Sequence, residues 1–398
     1  MSDSVAGKAS GEGRGAFTAA LYHRWSDVPA AWTALAHETS ATPFQNPVFL
    51  AAWYQSFCHN DPCQPVIVAL AGADGTPALL FPLVSLRDRG LRVVCFADAG
   101  VSDNNAPLLG PAAPTSPGTA RRAIEVLRKA LPGHDLLRFD KIPQKIGSRP
   151  NPLALLAGVT EGPLNAHPLH FADDFSDYVR SRAKKFRKEQ ARVWRVFQRL
   201  EGARFDIIAD PVEAQELFAT FERLQSERIR GLGQEYSLDE PEYRDFYRRL
   251  LAEGIRAGTV VFGALRLGSE LIGGLIGIAN KRSLVFVRLG HAGDKWGFCS
   301  PGRLVIERVL EWAHGAGYRD IDFSVGDYDY KRDFCIGSER LLEYARAGSL
   351  KGVAAAGLHY AKGVARGSPQ LRALVARLRG SGRSAAPQAR SLKSAAQG

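Results

Sequence analysis

The sequence predicts an α/β protein built as two layered units, each a mixed β-sheet flanked by helices, and three observations carry that expectation. At 398 residues and 45% apolar side chains, the chain is globular and longer than one ordinary hydrophobic core, so two domains are expected. One order of elements is written twice: two helices, a three-stranded meander, a helix and a last strand. Short apolar blocks bounded by Gly, Asp and Asn punctuate both halves, which is the strand and turn pattern of such a plan.

In the first half, "DVPAAWTALAHET" and "NPVFLAAWYQSFC" have helical periodicity. Asn46 is placed to cap the second of these, with Pro47 in its first turn. "PVIVAL", "TPALLFPLVSL" and "LRVVCFA" read as strands, followed by the loop "DAGVSDNNAPLLGPAAPTSPG", the helix "TARRAIEVLRKAL" and the strand "DLLRFDKI". The second half repeats this with helices "PVEAQELFATFERLQSERI" and "EPEYRDFYRRLLAEGIRAG", strands "TVVFGALRL", "ELIGGLIGIA" and "SLVFVRLGHA", the helix "PGRLVIERVLEWAHGAG" and the strand "YRDIDFSVG". The expected domains are 15–165 and 166–348, followed by a basic tail, 349–398, whose Ser-, Ala- and Arg-rich end has the composition of a disordered segment.

The net charge of +11 is unevenly spread. Nine Lys or Arg and no acid lie from Ser349 onward, and nine against Glu189 alone lie between Tyr178 and Leu200. Within that second block Val179, Ala183, Phe186, Gln190, Val193, Phe197 and Leu200 form an apolar seam at alternating spacings of four and three. A core-docked helix with a solvated basic face fits this pattern, and so does a helix whose Lys184 and Arg187 hold an anionic group. No duplex-binding motif accompanies it, so duplex nucleic acid is not an expected partner. "SPQLRALVARLRG" in the tail is a short basic amphipathic segment, compatible with a free tail or with contact to an anionic membrane. No stretch has the roughly 20 apolar residues of a membrane span, and the N-terminus has no signal-peptide pattern, so a cytoplasmic protein is expected. Five scattered cysteines, without a CxxC pair, predict neither a disulfide framework nor a metal site.

Two stretches carry candidate chemistry. In "GDKWGFCSPGRL" a strand runs through a loop into a helix, with Ser300 read as the cap and Pro301 in the first turn. Open N–H groups at such a start favour a phosphate, with Gly297 and Gly302 leaving room and Lys295 and Arg303 adding charge. In "DFSVGDYDYKRDF" three aspartates, two tyrosines and Lys331 fall within 327–333. An exposed polar helix start and a reactive cluster are both consistent with that composition.

This order of elements resembles the Gcn5-related N-acetyltransferase (GNAT) fold. The combination of "FQNPVFLAAWYQSF", the Tyr-x-x-x-x-x-Lys-Lys-x-x-Arg helix, "SPGRLVIERVLEWAHGAGYRDIDFSVGDYDYKRDF" and the basic tail resembles BioF2-like, or CelD/BcsL-type, acetyltransferases, which are related to the tandem-GNAT Fem transferases. The likeness spans most of 15–380 and implies a tandem GNAT-like fold, acetyl-CoA or another acyl-CoA as co-substrate, no metal, and transfer to an amine or hydroxyl of a small-molecule or glycan acceptor in exopolysaccharide, cellulose or envelope synthesis. The usual (Arg/Gln)-x-x-Gly-x-(Gly/Ala) pyrophosphate loop is replaced by "KWGFCSPG", so Lys295, Gly297, Phe298, Ser300, Gly302 and Arg303 are the expected cofactor contacts. In this fold the cofactor wedges between the fourth and fifth strands, which makes an N–H of "VFVRLGHA" the oxyanion donor and His291 a candidate base. The resemblance further implies acceptor binding by Asp327 and Asp329, proton donation by Tyr330, and an anion or oxyanion contact by Lys331. Asp103 of the first half is expected to face the same cleft, and Lys184 and Arg187 to contact substrate. A Fem-like aminoacyl-tRNA-dependent transferase and a non-catalytic accessory protein of a polysaccharide synthase are the alternatives.

Overall fold

The computed structural model describes residues 17–37, 41–58, 63–231, 233, 236–334 and 337–367. The first half runs β1 (Phe17–Tyr22), α1 (Ala30–Thr33), α2 (Pro47–Phe57), β2 (Gln64–Gly72), β3 (Pro77–Asp88), β4 (Leu91–Phe96), β5 (Leu108–Leu109), α3 (Pro117–Ala130) and β6 (Leu136–Ile142). A small ladder of β7 (Lys145–Ile146) and β8 (Arg149–Pro150), then β9 (Thr160–Ala166), β10 (Pro168–His170), α4 (Phe175–Ser181) and α5 (Lys184–Gln198), lead into the second half. There follow β11 (Ala203–Ile207), α6 (Pro211–Gly231), α7 (Pro241–Arg256), β12 (Val260–Leu267), β13 (Glu270–Ala279), β14 (Ser283–His291), α8 (Pro301–Gly315), β15 (Asp320–Asp322), α9 (Asp329–Phe334), β16 (Glu339–Ala347) and α10 (Leu350–Gly367).

The two meanders form as the alternation predicts, and two mixed sheets with helices against them result. One sheet has the order β1-β2-β3-β4-β6-β16-β9 with β5 beside β3; the other runs β10-β15-β14-β13-β12-β11. Asn46 caps α2, its Oδ1 accepting from the Val48 N–H at 2.9 Å. The sheets are interlocked: β16 comes from the end of the second half yet pairs with β6 and β9 in the first sheet. The strands β9 and β10 are separated by His167 alone and lie in different sheets. Phe49 of α2 stacks edge-on against Phe246 of α7 at 5.3 Å, so the helices of the two halves share one apolar core.

Three expectations are corrected. The basic stretch is two helices, because Arg182 leaves the helical path to lay its guanidinium 4.3 Å over the Tyr178 ring and donate to the Asp333 carbonyl. The segment "DVPAAWTALAHET" holds only the one-turn α1 between two 3₁₀ turns. Cys58 and Cys63 form a disulfide with Cα atoms 5.0 Å apart, a local link across five residues that the absence of a CxxC pair had not suggested. Cys299 is buried and free, and Cys335 lies outside the described residues.

Candidate active site

Two parallel strands that part company create the central feature. β14 and β15 pair only through Ser283↔Asp320, Leu284↔Ile321 and Val285↔Asp322, after which β14 continues to His291 while the other chain turns away. The turn is built by Asp322, whose Oδ1 accepts the N–H groups of Ser324 at 2.8 Å and His167 at 3.1 Å, and whose Oδ2 accepts from Asn104 Nδ2 at 3.2 Å. Ser324 sits at φ 68° and Gly326 at φ 96°. The second position suits glycine; the first costs a residue with a Cβ energy, recovered from the bonds that fix it. A β-bulge adds to the divergence, because Val287 has no partner in the β13 register, and bulges re-aim the backbone beside functional clefts. A crevice at the carboxyl ends of two parallel strands is where open α/β sheets bind ligands.

A hydrogen-bonded cluster from three parts of the chain lines the exit of β15. Lys331 is only 2% exposed, and its Nζ donates to the carbonyls of Ser324 at 2.7 Å and Val325 at 2.9 Å. The buried ammonium thus holds the turn closed. Ser324 Oγ donates to Asp103, which brings the first-half loop into the cluster. Burial pushes the Asp103 carboxyl up to about 6, with Asp98 and Asp322 adding to the rise and Lys141 and Lys331 opposing it. His167 bridges the group: Nδ1 lies 2.9 Å from the Ser324 carbonyl and Nε2 lies 3.0 Å from Asp327 Oδ1. His167 is buried while the Asp327 side chain is 70% exposed, so the pair runs from the interior to the mouth of the crevice. Tyr330 stacks on the exposed Tyr328 at 6.1 Å, and Asp329 faces solvent beside Arg332.

A second group gathers at the start of α8. Ser300 does not cap the helix: it is left-handed at φ 45°, ψ 60°, because its N–H closes the preceding 3₁₀ turn onto Gly297, and a cap needs extended backbone. The helix start is thus left without a side-chain cap. Gly302 is needed by a neighbour, since a Cβ there would lie 2.6 Å from the His291 ring. Burial lowers the His291 pKa and Arg228 lowers it further, against the 3.1 Å contact of Nδ1 with the Ala292 carbonyl, which favours a neutral ring. Arg303 pairs with Asp333 of α9 at 3.0 Å, tying the two groups together. Phe298 and Gly297 are exposed, and the Lys295 side chain lies outside the described residues. The helix α5 packs against this loop, with Lys184 exposed on its first turn. The half-buried Arg187 keeps a buried Nε without a partner.

Behind the crevice β14 is braced by a residue the sequence reading passed over. Arg288 is buried, donates to Gln225 at 2.8 and 2.6 Å and to Tyr236, and lies 4.4 Å over the Tyr247 ring. His167 was also passed over, and only the pairing of β10 with β15, Leu169↔Ile321 among others, brings it to the cluster.

Residues 184–332 match the acetyltransferase (GNAT) domain family. That match covers most of the second half. A crystal structure of FemX superimposes with a TM-score of 0.56 at 10% identity, covering 79% of this chain and 94% of FemX, which extends the fold likeness across both halves. The structure of L-PGS from Bacillus licheniformis aligns with a TM-score of 0.49 at 12% identity over 81% of this chain and 93% of that one. A tandem GNAT protein from the clavulanic acid biosynthesis pathway aligns with a TM-score of 0.42 at 12% identity over 84% and 99%. No curated protein matches the sequence. Among the described residues no helix is long and apolar enough to cross a membrane.

Proposed function

We propose that the protein is an acyltransferase that takes an acyl group from acyl-CoA, acetyl-CoA being the simplest donor, and passes it to an amine or hydroxyl. The observation that carries this reading is the crevice between β14 and β15 inside the GNAT domain, with the His167–Asp327 pair at its mouth. The open start of α8, with Lys184 and Arg187 of α5 beside its loop, suits the pyrophosphate of CoA. Acyl transfer forms a C–N or C–O bond and breaks C–S, so a proton leaves the acceptor and one reaches the departing thiolate. On this reading the exposed Asp327 carboxylate, oriented by His167 Nε2, takes the first proton, N–H groups of β14 near the Val287 bulge stabilise the oxyanion, and Tyr330 supplies the second proton. Lys331, Ser324 and Asp103 hold this arrangement in register and do not touch the acyl group. The resemblance to BioF2-like and CelD-type enzymes supports a sugar or amino-sugar acceptor in exopolysaccharide or envelope synthesis.

Titration with acetyl-CoA by calorimetry, followed by release of free CoA thiol with amino sugars as acceptors, tests this reading. Saturable heat at or below about 1 mM is expected, and its absence at that concentration would remove acyl-CoA as donor. A Fem-like transferase using aminoacyl-tRNA is the second reading, favoured by the FemX superposition and the basic face of α5. It predicts tRNA binding that weakens steeply with salt, in place of heat from acetyl-CoA.

A further inference from the structure

The last helix of the described chain is docked tightly on one side and bare on the other. On its inner side α10 meets the first sheet so closely that a Cβ on Gly352 would lie 1.7 Å from the Asp135 carbonyl, and one on Gly363 1.9 Å from Thr160 Oγ1. Arg366 pairs with Glu343, and His359 Nε2 lies 3.6 Å from Glu343 and 3.7 Å from Asp140. The helix is therefore a rigid part of the sheet's outer layer.

At 100° per residue the opposite arc holds Leu350, Val353, Ala354, Gly357, Leu358, Tyr360, Ala361 and Val364, all exposed and none charged. Leu350 alone is 92% exposed, and five of the eight exposed large apolar side chains among the described residues lie on this one helix. A surface helix of a monomer turns its polar side to water. This one turns its apolar side outward, with Lys351 and Lys362 along one edge of the arc. The sequence of its own segment carries charge of one sign: nine Lys or Arg and no acid from residue 349 to 398. A second copy, or this chain's own Arg-rich segment at 371–379, would bring like charge against like, which weakens both as occupants of the face. An anionic lipid surface matches both properties at once.

We infer that α10 lies flat on an anionic bilayer surface, its apolar arc in the headgroup–acyl boundary and its flanking lysines at the level of the lipid phosphates. This inference does not depend on the acyl-transfer reading. It is tested by sedimenting the full-length protein with vesicles of phosphatidylcholine alone and of phosphatidylcholine with about one-third phosphatidylglycerol. Binding to the anionic vesicles and not the neutral ones is expected, weakening as salt rises from about 0.1 to about 0.5 M. The triple variant Leu350→Glu, Val353→Glu, Val364→Glu, at positions exposed in the fold, is expected to bind about tenfold or more weakly with an unchanged melting temperature. Equal binding by the two proteins overturns the inference. So does a dimer in buffer, seen by light scattering and lost in the variant, with no vesicle binding.

Discussion

The two halves repeat one plan but treat the gap between their central parallel strands differently. In the first half β4 and β6 pair only at Val93↔Leu136 and Val94↔Leu137. The loop that follows β4 is stitched onto β6: the Asn105 N–H donates to the Lys141 carbonyl at 2.9 Å, and Lys141 Nζ donates to Asp98 at 2.8 Å and to the Ser102 carbonyl at 2.5 Å. In the second half the loop after β14 passes instead through a 3₁₀ turn into α8. The stitched loop lets the first half project Asp103 and Asn104 across the seam to Ser324 and Asp322, while on the reading proposed above the second half holds the ligand.

The comparison breaks most visibly in the second half. His167→Ala, which removes the group that orients the Asp327 base, is expected to lower turnover by about 10²-fold or more with acetyl-CoA binding heat retained. Thiol release and calorimetry on the same samples separate the two effects, and loss of both together would mean that His167 is structural. On the stitched side, Lys141→Ala leaves the half-buried Asp98 without its cation and Asp103 with Lys331 as the nearby cation. It should cost about 3 kcal/mol of stability in a denaturant titration, with a smaller effect on turnover.

A third effect is pH-dependent. The Asp103 carboxyl, raised from the ordinary carboxylate range to about 6 chiefly by burial, binds a proton more readily folded than unfolded. Its stabilising contribution is therefore full below the unfolded value and is lost as pH rises through about 6. Asp103→Asn should leave stability near pH 4 almost unchanged and add about 1–3 kcal/mol at pH 8, read from denaturation midpoints at the two pH values. The smallest expected effect is that of Asp329→Ala. Its side chain is 94% exposed beside Arg332. Stability should move by less than about 0.5 kcal/mol and turnover by less than about twofold; a larger loss of turnover would put the acceptor on that exposed helix start.

What could be read from the sequence follows from how local the physics is. The meanders, the Asn46 cap and the loop–helix order before Pro301 are set by neighbours along the chain, so period and punctuation reveal them. Ser300 misleads because Ser-Pro is the ordinary signature of a capped helix, and only the preceding 3₁₀ turn drives it left-handed. Arg182 misleads in the same way, since a continuous seam predicts one helix until a distant tyrosine ring and carbonyl compete for the guanidinium. Lys331 was legible as important, but its burial onto two carbonyls was not, because a lysine among aspartates reads as a surface charge. His167 gave no signal at all, as its neighbours in "NAHPLH" say nothing of a strand some 150 residues away that meets β10.

The interlocking of the sheets has a mechanical consequence. With β16 woven into the first sheet and β9 and β10 joined by one residue, the halves cannot swing apart as independent bodies without tearing strand pairing. His167 is that joining residue, so the chain crossing that links the two sheets also sets the contact of its imidazole with Asp327 at the exit of β15.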